Sequence, residues 1–433
     1  MKKTLLLSFC LLFTFSCSNQ ITDLENSIDN LSVQSTTLST ESTILEQINQ
    51  NKIEETEWGI KVSKLPVSKN NKKVTFLSYL AFDNDKGSYR DELKPVINFH
   101  EISGSNSNLN IVLQTDSAEN RDMKRYYIVK DNDQNLINSA YTQFKNERNS
   151  ANYRVLQAFI NWGFSTYPSN IKILDINTHG GAYLGIATDD GAGKIISLPN
   201  FGKAIRESVG KVDLLNLDAC LMATTEAAFE LKDVADVIIG SEDSTLSTGM
   251  LYNKELANII NRNNDVDDIA RDILLSSDRK GVDFRARLNR KGKYPNVFTI
   301  SAFRTSKISD YVKELDKLSI MLMNYPNKKA IKVALNGTHP LHVDSDSLGG
   351  QRDVYEILSR LNTIIDDKNI KEQIIKTRNA LNKVIILSRN HNTEKHAQGM
   401  AINISPISVG SNEYKNTLFA KNTKWDEFIL SLN

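Results

Sequence analysis

The stretch KVDLLNLDACLMATTEAAFEL, residues 211 to 231, begins with an apolar run and continues, after a single cysteine, with helix formers and no Gly or Pro. It predicts a buried strand over 211–218 and a helix that begins just after Cys220. A cysteine at such a junction is either a packed small residue or a nucleophile. These residues alone do not decide between the two.

Further apolar runs alternate with helical segments from about residue 70 to 265. The predicted strands are KKVTFLSYLAF (72–82), NLNIVLQTD (108–116), RYYIVKDND (125–133), NIKILDIN (170–177), KVDLLNLD (211–218) and ADVIIGSED (235–243). A helix-like segment between the first two indicates a crossover between parallel strands, and the third is typical of a hairpin partner. The pattern predicts an α/β fold over 71–265, with a mostly parallel β-sheet sandwiched by helices.

The remainder, residues 266–433, is predicted to be mainly helical. Long helical stretches are expected over SKISDYVKELDKLSIMLMN (306–324) and IKEQIIKTRNALNKVIILSRN (370–390). The β-like MAINISP (400–406) is a candidate late strand that would complete the sheet.

The first 16 residues combine two lysines with an apolar run, which is the layout of a secretory signal. TFSC (14–17), at the end of this segment, resembles a bacterial lipoprotein box, with Thr14 where the box usually has leucine, and this implies a lipid on Cys17. We therefore expect an exported, membrane-anchored lipoprotein that faces the periplasm or the cell surface, with the outer membrane as one candidate. A plain cleaved signal and an uncleaved anchor are the alternatives.

Composition, charge and cysteine content limit the classes of function that the chain can have. Charged residues are 24% of the chain and the net charge is +1, so composition gives no reason to expect nucleic acid. Residues 17–70 are polar and poor in apolar side chains, which predicts a tether or, alternatively, a pro-segment. Once the signal is removed, Cys220 is the one thiol in the body of the protein, so no disulfide framework forms there.

Two reactive side chains follow two of the predicted strands. His179 and Cys220 each lie within two residues of a strand end, 41 residues apart (220 − 179 = 41), which leaves room for one loop, one helix and one strand. Adjacent parallel strands would bring imidazole and thiol to one rim, where ligands bind in such sheets. An imidazole can deprotonate the thiol, a helix N-terminus lowers its pKa, and the Gly180 N–H could stabilise an oxyanion.

At these residues the chain resembles the clostripain family of caspase-like cysteine peptidases. The resemblance covers roughly residues 72–410 and rests on YLAFDND, NIVLQTD, RYYIVKD, THGG, DACLMATTEAAFEL and GSEDSTLSTGMLY, with FTISAFRTSKI, DVYEIL and QGMAINISP after them. It implies a caspase-like sheet and an endopeptidase in which Cys220 attacks the scissile carbonyl and His179 serves the acid and base steps. The residues beside His179, INT and GAYLG, depart from the family's usual aromatic or Gly-rich pattern.

The resemblance also implies the substrate class, which is peptides and proteins with Arg or Lys at the cleaved bond. The specificity pocket would contain Asp218, two residues before the nucleophile, with Asp243 and Thr245 as walls. A helix cap is the alternative role for Asp218. The chemistry requires no cofactor, and Ca²⁺ is an expected activator. Its ligands cannot be assigned, because the oxygen-rich DNDKG and TDDGAG both lack the full spacing of a calcium loop.

Family members are zymogens cut after a basic residue between the histidine and the cysteine, and here this implies self-processing after Lys194. Lys203 and Arg206 are weaker candidates because they fall on a predicted helix. A transpeptidase or ligase that uses the same acyl-enzyme, and a non-catalytic binding lipoprotein, are the alternative functions. THPLHVDSDS (338–347) contains His339, His342, Asp344 and Asp346, but a solvated loop is favoured there over a metal site.

Overall fold

The structure, a computed structural model, describes residues 38–433 except 69, 85–92, 119–122, 147, 192–193, 246–252, 290–298, 342–349 and 391–394. Its strands are β1 Lys52–Thr56, β2 Gly59–Val62, β3 Lys72–Phe82, β4 Leu109–Ser117, β5 Lys124–Tyr127, β6 Ala140–Gln143, β7 Ser169–Asn177, β8 Ile186–Asp189, β9 Lys194–Ile196, β10 Val212–Asp218, β11 Ala235–Gly240, β12 Thr299–Arg304, β13 Gln351–Asp353, β14 Ile385–Asn390 and β15 Ala401–Asn403.

The α-helices are α1 Leu38–Asn51, α2 Lys94–Ser103, α3 Tyr153–Thr166, α4 Leu198–Val209, α5 Thr225–Glu230, α6 Leu256–Arg262, α7 Val266–Asn289, α8 Ile308–Asn324, α9 Lys328–Asn336, α10 Val354–Ile364, α11 Lys368–Val384, α12 Pro406–Val409, α13 Asn412–Lys415, α14 Leu418–Asn422 and α15 Trp425–Leu430. Short 3₁₀ helices cover Ala182–Leu184, Asn253–Glu255 and Thr305–Lys307. Within these described ranges, no helix has the length and apolar character that crossing a membrane requires.

One large mixed sheet organises the chain. Its strand order is β1-β2-β6-β5-β4-β3-β7-β10-β11-β12-β14. The central strands β4, β3, β7, β10 and β11 are parallel to one another, while β5, β12 and β14 join the sheet through antiparallel pairs. The expected α/β fold and its mostly parallel sheet are confirmed, and so are the β3–α2–β4 crossover and the hairpin partner β5.

Both faces of the sheet are buried under helices. Along β3, Phe76 and Leu80 face one side, where α2, α6 and α7 pack. Leu77 and Tyr79 face the other side, against α3, α4, α5 and helices of the C-terminal region. Each fully buried side chain of this size contributes about 1.5–3 kcal/mol to folding, which explains why these central strands are apolar along their whole length.

A buried polar layer crosses the three central strands. Ser78 of β3 donates its hydroxyl to Asp175 Oδ2 of β7 at 2.5 Å, and the Asn216 side-chain amide of β10 donates to Asp175 Oδ1 at 2.6 Å. Each of these residues is also the register partner of Asp175 on its own strand. Because a one-residue slip would turn these groups away from one another inside an apolar sheet, the layer fixes the register of β3, β7 and β10.

The C-terminal region shares the core of the central sheet, since Tyr311 and Leu315 of α8 belong to the same apolar cluster as Leu217 of β10. Two expectations are wrong here. The predicted helix over 370–390 ends at Val384, and its β-branched continuation becomes β14 at the edge of the main sheet. MAINISP does not complete that sheet, because β15 pairs with β13 in a separate two-stranded sheet.

Part of the predicted tether is also folded. Residues 38–62 form α1 and the β1–β2 hairpin, and β2 pairs with β6 to extend the main sheet. Apolar anchors such as Ile48 and Val62 are buried in the core despite the polar surroundings. The tether prediction therefore does not hold for residues 38–62, the alternative of a pro-segment stays a prediction, and residues 17–37 lie outside the described chain.

Candidate active site

The predicted reactive pair, His179 and Cys220, follows two neighbouring strands. β7 and β10 run parallel in a register that pairs Asn177 with Asp218, and the Thr178 N–H donates to the Asp218 carbonyl at 3.4 Å. His179 and Cys220 each follow their paired strand end by two residues, and both are partly exposed. The structure therefore brings imidazole and thiol to the same rim of the sheet, as the sequence predicts.

The two segments touch through their backbones. A Cβ atom placed on Gly180 would lie 2.1 Å from the Cys220 carbonyl oxygen, which is closer than any real Cβ contact. The turn after His179 is closed by its own hydrogen bonds, from the Gly181 N–H to the Gly185 carbonyl at 2.9 Å and from the Ala187 N–H to the His179 carbonyl at 3.0 Å. Glycine at 180 is therefore required by close approach rather than by its backbone angles.

A loop from the neighbouring strand holds the thiol. Residues 241–245, called the flanking loop below, follow β11. The Leu221 N–H donates to the Asp243 carbonyl at 3.1 Å, and Leu221 itself adopts a left-handed φ of 62°. The Thr245 N–H donates to Cys220 Sγ at 3.3 Å, and the Thr245 hydroxyl lies 3.7 Å from the same sulfur. The flanking loop therefore fixes the position of the sulfur through a backbone hydrogen bond.

The helix after the cysteine does not begin where the sequence predicts. Residues 219–223 form a turn, α5 begins at Thr225, and the Thr224 side chain caps it by accepting the Ala227 N–H at 3.2 Å. Helix formers do not ensure a helix when the chain must first turn to expose Cys220. The expected helix N-terminus is therefore displaced from the thiol and already carries a cap.

The candidate pocket residues occupy different positions around the thiol. Asp218 is buried, and its Oδ2 accepts the Asn177 side-chain amide at 3.4 Å. Because Thr224 caps α5, the alternative role of Asp218 as a helix cap is wrong. Asp243 is also buried and its carboxylate accepts the Ser244 N–H at 2.6 Å, whereas Thr245 is partly exposed beside the sulfur.

Comparison with known proteins decides the family. A family model described as the clostripain family matches residues 78–431. The chain belongs to the clostripain family. It is 23% identical over 397 residues to clostripain from Hathewaya histolytica, covering 77% of this chain and 74% of that protein. It is accordingly a cysteine-type endopeptidase.

Solved structures agree on the fold. A secreted cysteine protease from Bacteroides thetaiotaomicron, bound to an irreversible peptide inhibitor, superposes with a TM-score of 0.58 at 14% identity, over 84% of this chain and 99% of that one. An inactive zymogen protease from Parabacteroides distasonis gives a TM-score of 0.61 at 17% identity, over 82% and 99%. The expected caspase-like arrangement, a mostly parallel sheet between helices, is thereby confirmed for this clostripain-family chain.

The predicted processing residue lies in a hairpin beside the active site. Lys194 begins β9 and pairs with Asp189 at the end of β8. Residues 192–193, which precede Lys194 in the sequence, are outside the described chain. Lys203 and Arg206 lie on α4 as predicted.

Three buried carboxylates converge near this hairpin. Asp83 follows β3, Asp116 lies near the end of β4 and Asp189 ends β8, and their ligand oxygens all lie within 4.8 Å of one another. Ion-to-oxygen distances of about 2.3–2.6 Å place the ligands of one calcium ion at most about 5 Å apart, so the spacing and the donor type fit Ca²⁺. The sequence pointed to the segments that carry Asp83 and Asp189, and missed Asp116.

The histidine-rich loop does not form a described metal cluster. His339 stacks on His396 with ring centroids 4.7 Å apart, and its Nδ1 lies 2.7 Å from Glu356 Oε1. His342, Asp344 and Asp346 lie outside the described residues. In the clostripain-family site the sequence also missed a buried carboxyl pair, Glu242 and Asp353, for which no local motif gives a signal.

Replacing Gly180 by Ala is expected to lower kcat/KM on a cleavable peptide by about 100-fold, because the new Cβ must push the Cys220 carbonyl away and a shift of about 1 Å near reacting groups costs that much. Gly181→Ala is the matched control, since its Cβ makes its tightest contact, 3.2 Å, with the end of the Ile195 side chain and meets no atom closer than that. Steady-state kinetics with melting curves check both variants. Equal losses in the two would contradict the close contact.

Proposed function

We propose that the protein cleaves peptide bonds after Arg or Lys through Cys220 and His179. The observation that carries this proposal is the pairing of β7 with β10, which sets thiol and imidazole on one partly exposed rim. The thiolate attacks the scissile carbonyl carbon, a C–S bond forms and the C–N bond breaks, while His179 delivers the proton from the thiol to the leaving amine. Water then hydrolyses the thioester and regenerates the thiol.

The Gly180 N–H is the proposed donor to the oxyanion. The neighbouring Gly181 N–H is already bound to the Gly185 carbonyl, while the Gly180 N–H makes no backbone hydrogen bond to the described part of the chain. It also lies next to the backbone of Cys220, where the developing charge would form. A fixed N–H at this place stabilises the transition state without reorganisation.

A carboxylate below the nucleophile explains selection of basic side chains. Asp218 is two residues before Cys220, and we assign it to the specificity pocket, with Asp243 and Thr245 as its walls. A buried carboxylate gains a charge-assisted bond with a guanidinium or ammonium and penalises neutral side chains. The substrates are therefore peptides and proteins with Arg or Lys at the cleaved bond, and the chemistry itself needs no cofactor.

The decisive experiment compares peptides that differ only in the residue before the cleaved bond: Arg, Lys, Asp or Leu. Wild type is expected to cut the first two, Cys220→Ala none, and Asp218→Asn should lose about 100-fold in kcat/KM, because removing one partner of a desolvated charge pair costs about 2–5 kcal/mol. Asp213→Asn, at the opposite end of β10, is the control.

Two results would overturn the proposal: thiol-independent cleavage, or equal rates on all four peptides. The same acyl-enzyme could transfer its acyl group to an amine instead of water. Mass spectrometry of the products, with and without an added amine nucleophile, separates transpeptidation from hydrolysis.

We also propose that the protein is made as a zymogen and cuts itself after Lys194. The relative from Parabacteroides distasonis is described as an inactive zymogen. In this chain Lys194 is the first residue of β9 in the two-stranded β8–β9 sheet, which is separate from the main sheet, so chain cleavage there needs little disruption of the core.

Lys194→Ala is expected to stay as one chain on a denaturing gel, because the basic residue before the cleaved bond is gone. Cys220→Ala should also stay uncut, whereas Lys203→Ala, on α4, should mature normally. Fragments of wild-type size from Lys194→Ala would place the processing site elsewhere.

Ca²⁺ is proposed as an activator held by Asp83, Asp116 and Asp189. These residues would hold the ion, which would supply positive charge among three buried carboxylates that come from the ends of β3, β4 and β8. The β8–β9 hairpin is already tied to the end of β3, since the Asp190 N–H donates to the Asp83 carbonyl at 2.8 Å.

Calcium is expected to raise the melting temperature of the full-length protein, and Mg²⁺ to raise it less, since three clustered carboxylates suit the larger ion. Asp116→Asn should remove most of the calcium effect, whereas Asp233→Asn, an exposed residue far along the chain, should not. No calcium-dependent shift in the wild type, or an unchanged shift in Asp116→Asn, would contradict this site.

Export and lipid anchoring at Cys17 complete the proposal. One structural relative is described as secreted, and the N-terminus carries the signal and box residues named above. Metabolic labelling with palmitate, lost in Cys17→Ser, is the check on the anchor.

A further inference from the structure

The flanking loop connects the nucleophile to the C-terminal region. On one side its backbone accepts hydrogen bonds from the Cys220 turn, through the Ser241 carbonyl (from Ala223 N–H, 2.8 Å) and the Asp243 carbonyl (from Leu221 N–H, 3.1 Å). Together with the Thr245 N–H to Cys220 Sγ, these contacts place the thiol. Whatever fixes the flanking loop therefore also fixes the nucleophile.

The Glu242 side chain of this loop contacts the C-terminal region. It is 1% exposed, and its Oε1 accepts the Gly399 N–H at 2.6 Å. Its carboxyl group also meets that of Asp353, the residue that caps α10. Asp353 is fully buried, and its Oδ1 and Oδ2 accept the Glu356 and Gln398 N–H groups, each at 2.8 Å.

Two carboxyl groups in hydrogen-bond contact must share a proton, because two carboxylates offer only acceptors. Both oxygens of Asp353 already accept backbone N–H groups, as an ionised carboxylate does. Glu242 uses one oxygen in this way, and its Oε2 receives no donor from the described residues. The hydrogen-bond pattern therefore assigns the proton to Glu242 Oε2, which donates it to Asp353.

The surroundings support this assignment. Burial, with Asp353 next to it, raises the pKa of Glu242 well above its usual range, and burial raises the pKa of Asp353 to about 6. The other titratable groups that face the pair are Asp243 in the flanking loop, Glu356 on α10, and the tyrosines Tyr311 on α8 and Tyr355 on α10.

No cation neutralises the pair within the described chain. His339 and Arg360 contact Glu356, and neither forms an ion pair with Glu242 or Asp353 in the described chain. The neighbouring Arg352 donates to the Gln351 carbonyl at 2.8 Å. A second negative charge in this place would stand uncompensated in the protein interior, which is strongly unfavourable.

We propose that Glu242 is a positioning residue for Cys220 and that it acts only as a neutral acid, donating its proton to Asp353. Loss of that proton would leave two buried carboxylates in contact, and relief requires Glu242 to move with the flanking loop. The Asp243 carbonyl and the Thr245 N–H would then leave the Cys220 turn. The catalytic consequence rests on the proposed function, whereas the shared proton itself does not.

Glu242→Gln tests the assignment because the amide reproduces the neutral acid, with one oxygen to accept the Gly399 N–H and an N–H to donate to Asp353. It is expected to keep kcat/KM within about threefold of wild type near pH 6.5 and to stay active at alkaline pH, where the wild type declines. The kcat/KM of Glu242→Ala should be at least about tenfold below that of wild type at every pH. Asp353→Asn should lower kcat/KM by as much. Both oxygens of Asp353 accept backbone N–H groups, so the NH₂ group of asparagine would face a second donor there.

Glu230→Gln is the matched control, a buried glutamate of α5 whose Oε2 accepts the Leu418 N–H and which has no carboxyl partner in the described structure. Its pH profile should match that of the wild type. The positioning role of Glu242 is wrong if Glu242→Gln loses as much kcat/KM as Glu242→Ala. It is also wrong if Glu230→Gln changes the pH profile of kcat/KM in the same way as Glu242→Gln.

Two measurements decide the protonation without any peptide cleavage. Infrared spectra at pH 6.5 should show a protonated-carboxyl C=O band that Glu242→Gln lacks. Because the folded pKa is raised, the folded state keeps a proton that the unfolded state releases above about 4.5, so wild-type stability falls as pH rises from there towards the folded pKa. Glu242→Gln should lose that part of the slope in melting temperature against pH.

Absence of the band from wild type, or an unchanged slope in Glu242→Gln, would overturn the shared proton. If the wild type cleaves no peptide but still shows the infrared band and the pH-dependent slope in melting temperature, the peptidase proposal is wrong and the shared proton is supported. Alkylation of Cys220 by iodoacetamide then reports on thiol placement, and it should slow in Glu242→Ala and not in Glu242→Gln.

Discussion

The parallel pairing of β7 with β10 is the constraint on which the site depends. Their register pairs Asn177 with Asp218, and the same offset of 41 residues separates His179 from Cys220. A one-residue shift in the register of β7 against β10 would move either His179 or Cys220 along the sheet by one residue and turn its side chain to the opposite face. The buried hydrogen bonds of Asp175 to β3 and β10 oppose such a slip, because they are lost together when either neighbour moves.

The geometry above this register is held by backbone contacts rather than by a helix. Gly180 abuts the Cys220 carbonyl, Leu221 turns in a left-handed conformation, and the flanking loop closes over the sulfur through Thr245. Gly180 follows β7, Leu221 follows β10 and the flanking loop follows β11, so segments after three strands position the nucleophile. The C-terminal region enters the same arrangement through Asp353 and Gly399, which explains how residues more than 100 positions from Cys220 bear on its placement.

Much of the architecture follows from local pattern. The first strand, 72–82, and the strands before His179 and Cys220 are long apolar runs with turn residues at their ends, and they occur in the structure nearly as predicted. The pattern fails where burial comes from distant partners. VIILSRN continues a helical period and becomes β14 because β12 supplies an open edge, and the polar residues 38–62 fold because β6 offers β2 a partner.

By itself the sequence determined the class of fold, the strands that carry the candidate dyad and, through its motifs, the family; these follow from hydrophobic period and residue type, which are local properties. Only the tertiary structure decided where α5 begins, which segment meets the thiol, that Asp83, Asp116 and Asp189 converge, and that Glu242 meets Asp353. Such contacts join residues far apart in the chain, and their protonation and ligand chemistry depend on burial, which exists only after the sheet has formed.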